Sequence, residues 1–394
     1  MDTHYVYILL QNKIFWAINI LEFLILLLPK FVLCDKCYSN GNTGICIEKS
    51  KCNNSTTDNV KCPGNNNFEC CVLETTANKN NIIRNTRHRV INYLNVKKNK
   101  RYCKKCLNLK GKKGLDCYNR CPAFKILSSL NILSSEETVD DIINNKKSIS
   151  RFGDGEFDLI FGKGINFQKF DKNMSKRLTD ILQSIKEGLI IAIPITLKTV
   201  KTNNNFWKNF ISKYQYKLIN LFNFNKVYGN VGISRFYNFN SNGNFVLNYI
   251  NKLKLIWDKK DVVIIEGEKS RFGFNNDLLN NTKTIQRILC PVKNAYNVYE
   301  KIYNEALKIN KDKLILIALG PTATILAYDL HNVGYQAIDI GHADISYEWF
   351  LRNATYKIKI DNKYVNEACG GGTNIEDITD KSYYDQILVK ILNE

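Results

Sequence analysis

Proline is scarce in this chain, six in 394 residues, and with 44% hydrophobic and 11% aromatic residues that scarcity excludes wholesale disorder. Acid is scarce in one place above all. Between residues 79 and 125 a single carboxylate, Asp116, faces fifteen Lys and Arg, so +14 of the net +19 sits there and the rest of the sequence is nearly balanced. No zinc-finger or RNA-recognition pattern accompanies this basic run, which argues against nucleic acid as its partner. Two readings remain: a tether to acidic glycan or to an acidic membrane surface, and a solvated linker in a chain rich in Asn, Lys and Ile. An uninterrupted apolar stretch is missing too, because the run at residues 14–33 is broken by Glu22 and by Pro29 and Lys30.

That run reads as a signal peptide, with cleavage after Cys34 leaving Asp35 first, or as an uncleaved type II membrane anchor. Cysteine usage points the same way. Cys37, Cys46, Cys52, Cys62, Cys70 and Cys71 crowd a polar segment that lacks the apolar periodicity of a core and needs staples, as in secreted proteins. Cys103, Cys106, Cys117 and Cys121 form a second cluster, spaced for zinc in a reducing compartment and for two disulfides in an oxidising one. The expected location is the ER or Golgi lumen or the outside of the cell. Sequons at Asn53, Asn54, Asn173, Asn280 and Asn353 suit that setting. The expected organisation is a leader or anchor over 1–34, a six-cysteine module over 35–73, a basic linker with a four-cysteine staple over 74–125, and a catalytic domain over 126–394. Cys290 and Cys369 are left over, to pair with each other or to stay inert.

From about residue 148 short apolar runs bounded by Gly, Pro or Asp read as buried strands at 189–193, 262–265, 288–290, 314–319 and 337–340. Helical patterns at 295–309 and 322–332 fall between some of them. This alternation predicts an α/β fold, a Rossmann-like, mostly parallel sheet with helices on both faces, and places ligands beyond the carboxyl ends of the strands.

Four loops there carry polar chemistry. Asp154 and Glu156, in Arg151-Phe152-Gly153-Asp154-Gly155-Glu156, are hard oxygen donors spaced to share Mg2+ or Mn2+ with a phosphate, or else an acidic surface turn. The loop from Glu266 to Gly273 offers Arg271 to a phosphate. Gly320-Pro321-Thr322 opens a helix whose free N–H groups suit an anion. Asp339-Ile340-Gly341-His342-Ala343-Asp344 sets a histidine at a strand end, as ligand, acid/base or turn residue. Together they describe a site for a metal-bound nucleotide diphosphate, such as a nucleotide sugar.

Several of these residues lie in runs that resemble the GT-D fold glycosyltransferases: residues 151–156, Ser234-Arg235-Phe236-Tyr237, Glu266-Gly267 with Ser270-Arg271 and Asn276-Asp277-Leu278, residues 287–291 with 293–295, residues 318–330, residues 338–342, Tyr347-Glu348-Trp349-Phe350, and residues 363–368. The resemblance covers roughly 148–394. It implies a hexosyltransferase that uses a UDP-sugar and acts on a glycan or glycoprotein acceptor. Its Mn2+ or Mg2+ would be held by Asp154 and Glu156, with His342 as a further ligand. Arg151, Ser270, Arg271, Gly320, Thr322 and Asp339 are then the candidates for binding the nucleotide sugar, and Glu266, Glu268 and Asp344 those for the general base. The six-cysteine segment similarly resembles clip-like disulfide modules of secreted proteins. The rival readings are a metal-dependent phosphoryl-transfer enzyme or hydrolase on the same sheet, and an inactive secreted glycan-binding protein.

Overall fold

A computed structural model of the chain describes residues 36–39, 42–48, 68–71, 113, 114, 116, 117, 120–199, 205–237, 243–372 and 375–392. The apolar run at 14–33, most of the basic stretch, and Cys52, Cys62, Cys103 and Cys106 lie outside the described residues. The chain divides into two units, 1–90 and 91–394. In the first, β1 (Lys36–Ser39), β2 (Asn42–Glu48) and β3 (Phe68–Cys71) form an antiparallel sheet, with Cys46 in register with Cys70.

The second unit is built on nine strands: β4 (Asn131–Ile132), β5 (Ser148–Arg151), β6 (Leu189–Ile193), β7 (Val227–Asn230), β8 (Asp261–Gly267), β9 (Thr284–Cys290), β10 (Leu314–Ala318), β11 (Ala337–Asp339) and β12 (Ile387–Lys390). All pair in parallel, in the order β12-β9-β8-β10-β11-β5-β6-β7-β4. The central strands are apolar on both sides because both faces are covered. Ile191, Ile193, Val263, Ile265, Ile315 and Ile317 point into one core, and their neighbours Ile190, Ala192, Val262, Ile264, Leu314 and Leu316 into the other. Helices Lys172–Gln183 and Pro321–Asn332 close the first core, and helices Ser135–Asn145 and Gly243–Lys254 the second. Local signals set the helix starts. Ser134 caps the Glu137 N–H at 3.1 Å while Glu137 accepts from the Ser134 N–H at 2.7 Å, and Asp171 caps Met174 at 2.7 Å.

The five expected strands are all present. Four that the apolar pattern did not mark are short or polar: β4, β5 (Ser-Ile-Ser-Arg), β7 and the half-exposed β12. Cys290 and Cys369 are both free, the first buried and the second exposed. Among the described residues no helix is long and apolar enough to cross a membrane.

Topology locates the crevice. β5 and β11 are neighbours, yet the chain leaves β5 for the first face through helix Asp154–Ile160, whose Phe157 and Leu159 join the first core. It leaves β11 for the other face through helix Ala343–Leu351, whose Ala343 and Tyr347 join the second. Where adjacent strands send their connections to opposite faces, the loops at their carboxyl ends part and a ligand can enter.

Candidate active site

Arg151 ends β5 and Asp339 ends β11, and the two meet across that switch point. The Arg151 guanidinium donates from Nη2 to Asp339 Oδ1 at 2.7 Å and from Nε to the Asp339 carbonyl at 2.6 Å, while its Nη1 reaches Ser234 Oγ at 2.5 Å. Burial pushes the Asp339 carboxyl up and the Arg151 charge opposes it, so the ion pair depends on both partners. Gly341 is what lets the guanidinium lie there. Its φ is +45°, and a Cβ on it would stand 1.9 Å from Arg151 Nη2.

Asp154 and Glu156 occupy the first turn of helix Asp154–Ile160, where the positive end of the helix dipole favours carboxylates. Glu156 Oε2 accepts the Gly153 N–H at 2.6 Å. Burial, reinforced by the neighbouring Asp339 and Asp154 charges, raises Glu156 to about 7. The Asp154 residue is open to solvent, but the protein around its carboxyl displaces water and raises its pKa as well, with Arg235 opposing and Glu367 adding to the shift.

Opposite them, Glu367 gathers cations. Arg235 grips it with both terminal nitrogens, Nη2 to Oε1 at 2.5 Å and Nη1 to Oε2 at 3.1 Å. Lys357 Nζ reaches Oε2 at 2.6 Å and His342 Nε2 reaches Oε1 at 3.1 Å. Burial and the nearby Arg235 charge lower His342 to about 3, so its ring is neutral and donates Nε2–H to the carboxylate. Its Nδ1 is buried without a hydrogen-bond partner. Arg235 and Glu367 stand in two of the family-like runs, but nothing in their spacing singled them out, and Lys357 lies in none.

Other candidates have different tasks. Glu266 is fully buried, with Oε1 on Arg287 Nη1 at 2.5 Å and Oε2 on the Phe272 N–H at 2.7 Å, so it lacks a free oxygen for a substrate proton. Asp344, 2% exposed, accepts from the Gly273 N–H, Asn276 and Lys363. Glu268 pairs with Lys390 on β12. Glu266 and Asp344 thus have both carboxylate oxygens engaged inside the protein, whereas Glu268 is partly exposed and uses one oxygen in a surface pair. Arg271 is engaged as well. Its guanidinium is buried and donates to the carbonyls of Asn362 (2.6 Å) and Glu376 (2.8 Å), so it ties down the C-terminal segment and does not face an incoming phosphate.

Ser270 closes a turn through its N–H to the Gly267 carbonyl at 2.7 Å. At Gly320 the Phe167 ring lies where a Cβ would sit, 2.5 Å away, and Thr322 behind it is fully buried with its hydroxyl unpartnered. Gly320 itself is exposed, while Pro321 and Thr322 behind it are buried. Beyond β8 and β9 an open groove of about 410 Å³ is lined by Lys269, Val292, Lys293, Tyr364, Gly372 and Ile375.

Asp154, Glu156 and His342 do not form a ready-made ligand cage: among the described residues no three His, Cys, Asp or Glu side chains converge as metal ligands. Two carboxylates in one helical turn still fit a hard cation that takes one or two protein oxygens and completes its shell with substrate phosphate and water.

Comparison with known proteins decides the family. The description "Glycosyltransferase GT-D fold" matches residues 149–368. The chain belongs to the GT-D glycosyltransferase family. It is 36% identical over 272 residues to the probable glycosyl transferase Gly of Streptococcus gordonii, and 34% identical over 274 residues to the glycosyltransferase GlyD of Streptococcus pneumoniae serotype 4. These alignments take in 67% and 68% of this chain but only 39% and 33% of the two relatives, so the chain spans less than two fifths of their length. Among solved structures, the domain of unknown function 1792, described as having a distinct glycosyltransferase fold, is 37% identical with a TM-score of 0.65. It covers 68% of this chain and 98% of its own. A glycosyltransferase of the same kind from Streptococcus sanguinis is 35% identical with a TM-score of 0.62, over 66% of this chain and 99% of its own. The GT-D domain here is therefore a glycosyltransferase domain with the α/β architecture its sequence predicted.

Proposed function

We propose that this GT-D enzyme moves a hexose from a UDP-sugar to a hydroxyl of a glycan or glycoprotein, with Mn2+ or Mg2+ held by Asp154 and Glu156. The observation that carries this reading is the placement of those carboxylates in one helical turn at the sheet's switch point, where a diphosphate enters. A divalent cation held there supplies positive charge against the negative charge that develops on the departing UDP.

The chain's own residues do the rest. The Arg151–Asp339 pair fixes the floor of the crevice, and the Arg235–Glu367–Lys357 cluster frames the other side with net positive charge. Glu156, raised to about 7, would give up its proton if it held a cation near neutral pH. The groove flanked by Lys269 and Lys293 lies on the same carboxyl edge and is large enough for part of a donor or acceptor. The cysteine clusters and the run at 14–33 support work in the secretory lumen or outside the cell, as a secreted or anchored protein. The basic stretch would hold the enzyme near acidic glycan or membrane.

The test is a screen of nucleotide sugars with Mn2+, reading free UDP with and without a glycan acceptor. Acceptor-dependent UDP release that vanishes in EDTA and in Asp154→Ala and Glu156→Ala is expected. Phosphate release from simple esters, or full activity in EDTA, would overturn the reading.

A further inference from the structure

Three arginines lie along the carboxyl edge of the sheet, and the fold has used up two of them. Arg151, with its side chain 13% exposed, is spent on Asp339 and Ser234. Arg271, 4% exposed, is spent on backbone carbonyls. Arg235 differs: its side chain is 47% exposed, and Asp154 and Glu156 are both within its electrostatic reach. It follows the short 3₁₀ turn Val231–Ser234 beyond β7, so it hangs over the same carboxyl edge as the two carboxylates.

Its orientation is imposed from a distant part of the chain. Glu367, 132 residues on, takes both terminal nitrogens, and is itself fixed by Lys357 and by the Nε2–H of His342. A bidentate carboxylate locks the plane of a guanidinium, which otherwise swings on four rotatable bonds. The clamp is more than Arg235 needs to stay put as a surface residue, because three cationic or N–H groups converge on one carboxylate that is only 18% exposed.

We infer that Arg235 contacts the diphosphate of the nucleotide-sugar donor, and that Glu367 is its positioning residue. The chemistry is that of a planar, permanently charged fork: two N–H groups are held by Glu367, and the outward edge is presented to phosphate oxygens beside Asp154 and Glu156. This inference rests on the donor reading above and adds to it the residue that recognises the diphosphate.

The experiment is titration calorimetry of the full chain with Mn2+ present, using UDP as the probe and uridine as the control. Arg235→Ala should weaken UDP by about tenfold or more and leave uridine unchanged, and Arg235→Lys should recover only part of the loss. Glu367→Gln, which keeps the shape and removes the charge, should weaken UDP by a few-fold and raise KM for the donor more than it lowers kcat. Asp140→Asn, which removes an exposed ion pair with Lys252 on a helix that packs on the second core, serves as the folded control and should change nothing. UDP affinity within twofold of the parent in Arg235→Ala, or an equal loss for uridine, would overturn the inference. Failure of the parent protein to bind UDP at all would instead overturn the donor reading, and with it this assignment.

Discussion

The Arg151 guanidinium closes on the Asp339 side chain and carbonyl and, through Ser234, reaches the loop beyond β7, so one side chain joins three carboxyl-end loops of the sheet. Arg151→Ala would leave Asp339 buried without its cation. We expect a loss of about 3–5 kcal/mol in urea unfolding, the cost of stranding one member of a buried pair. Removing both charges together in Arg151→Met/Asp339→Leu should cost clearly less than the sum of the single changes. Additive losses would show that the pair is not coupled.

Gly341→Ala tests the same contact from the other side. The new methyl would fall on Arg151 Nη2 and force a side chain into positive φ, so we expect about 1–3 kcal/mol of destabilisation. Sugar transfer should be impaired even in the folded fraction, because Arg151 has to move. Gly162→Ala also carries positive φ but meets nothing within 4 Å, so it reports the backbone cost alone.

Glu156 predicts a pH dependence with a definite sign. Its carboxyl titrates at about 7 in the fold and near 4.5 in the unfolded chain, so between those values the native state keeps a proton that the unfolded state has lost. Stability of the metal-free protein should therefore fall as pH rises from about 4.5 to 7, by about 1–3 kcal/mol from this group, and level off above. Glu156→Gln should flatten that part of the profile in urea melts at pH 5 and pH 7.5. Over the same interval Mn2+ should bind more tightly as pH rises, because the cation competes with the proton.

Glu266 and Asp344 should behave as structural anchors. Glu266→Gln leaves Arg287 buried against a neutral amide and should cost about 2–4 kcal/mol, with turnover per folded molecule retained within a few-fold. Asp344→Asn leaves Lys363, which is 3% exposed, with Glu348 as its remaining carboxylate, so it should cost less, about 1–3 kcal/mol, again with turnover retained. Unchanged melting with turnover abolished in either variant would return that residue to the list of catalytic candidates.

The sheet was legible in the sequence wherever a strand is buried on both faces, since an unbroken run such as Val262-Val263-Ile264-Ile265 has few other uses. β5 was not, because Ser148 and Ser150 are polar yet buried, with Ser150 satisfied by the Thr324 carbonyl across 174 residues. Asp154, Glu156, Arg151 and Asp339 were found from loop chemistry and family-like runs, and they do gather at the crevice. Two of the base candidates, Glu266 and Asp344, have both carboxylate oxygens engaged by buried partners. A carboxylate at a strand end looks the same in sequence whether it faces substrate or a buried Arg287 or Lys363. Glu367 was hidden for the converse reason, since its importance lies in partners 10, 25 and 132 residues away, and no local spacing reveals them.

The pairing of β5 with β11 also constrains biosynthesis. Arg151 and Asp339 are separated by 188 residues, and β10 and β11 must both be made before the gap between β8 and β5 can fill. A ribosome adding about 5–20 residues per second takes on the order of ten seconds or more to span that interval, during which the backbone edge of β5 has no neighbour on its β11 side. A nascent chain in that interval holds a carboxylate pair at Asp154 and Glu156 but no Asp339 to complete the crevice. The Arg151–Asp339 contact at the floor of the crevice therefore forms only after β11 has been made.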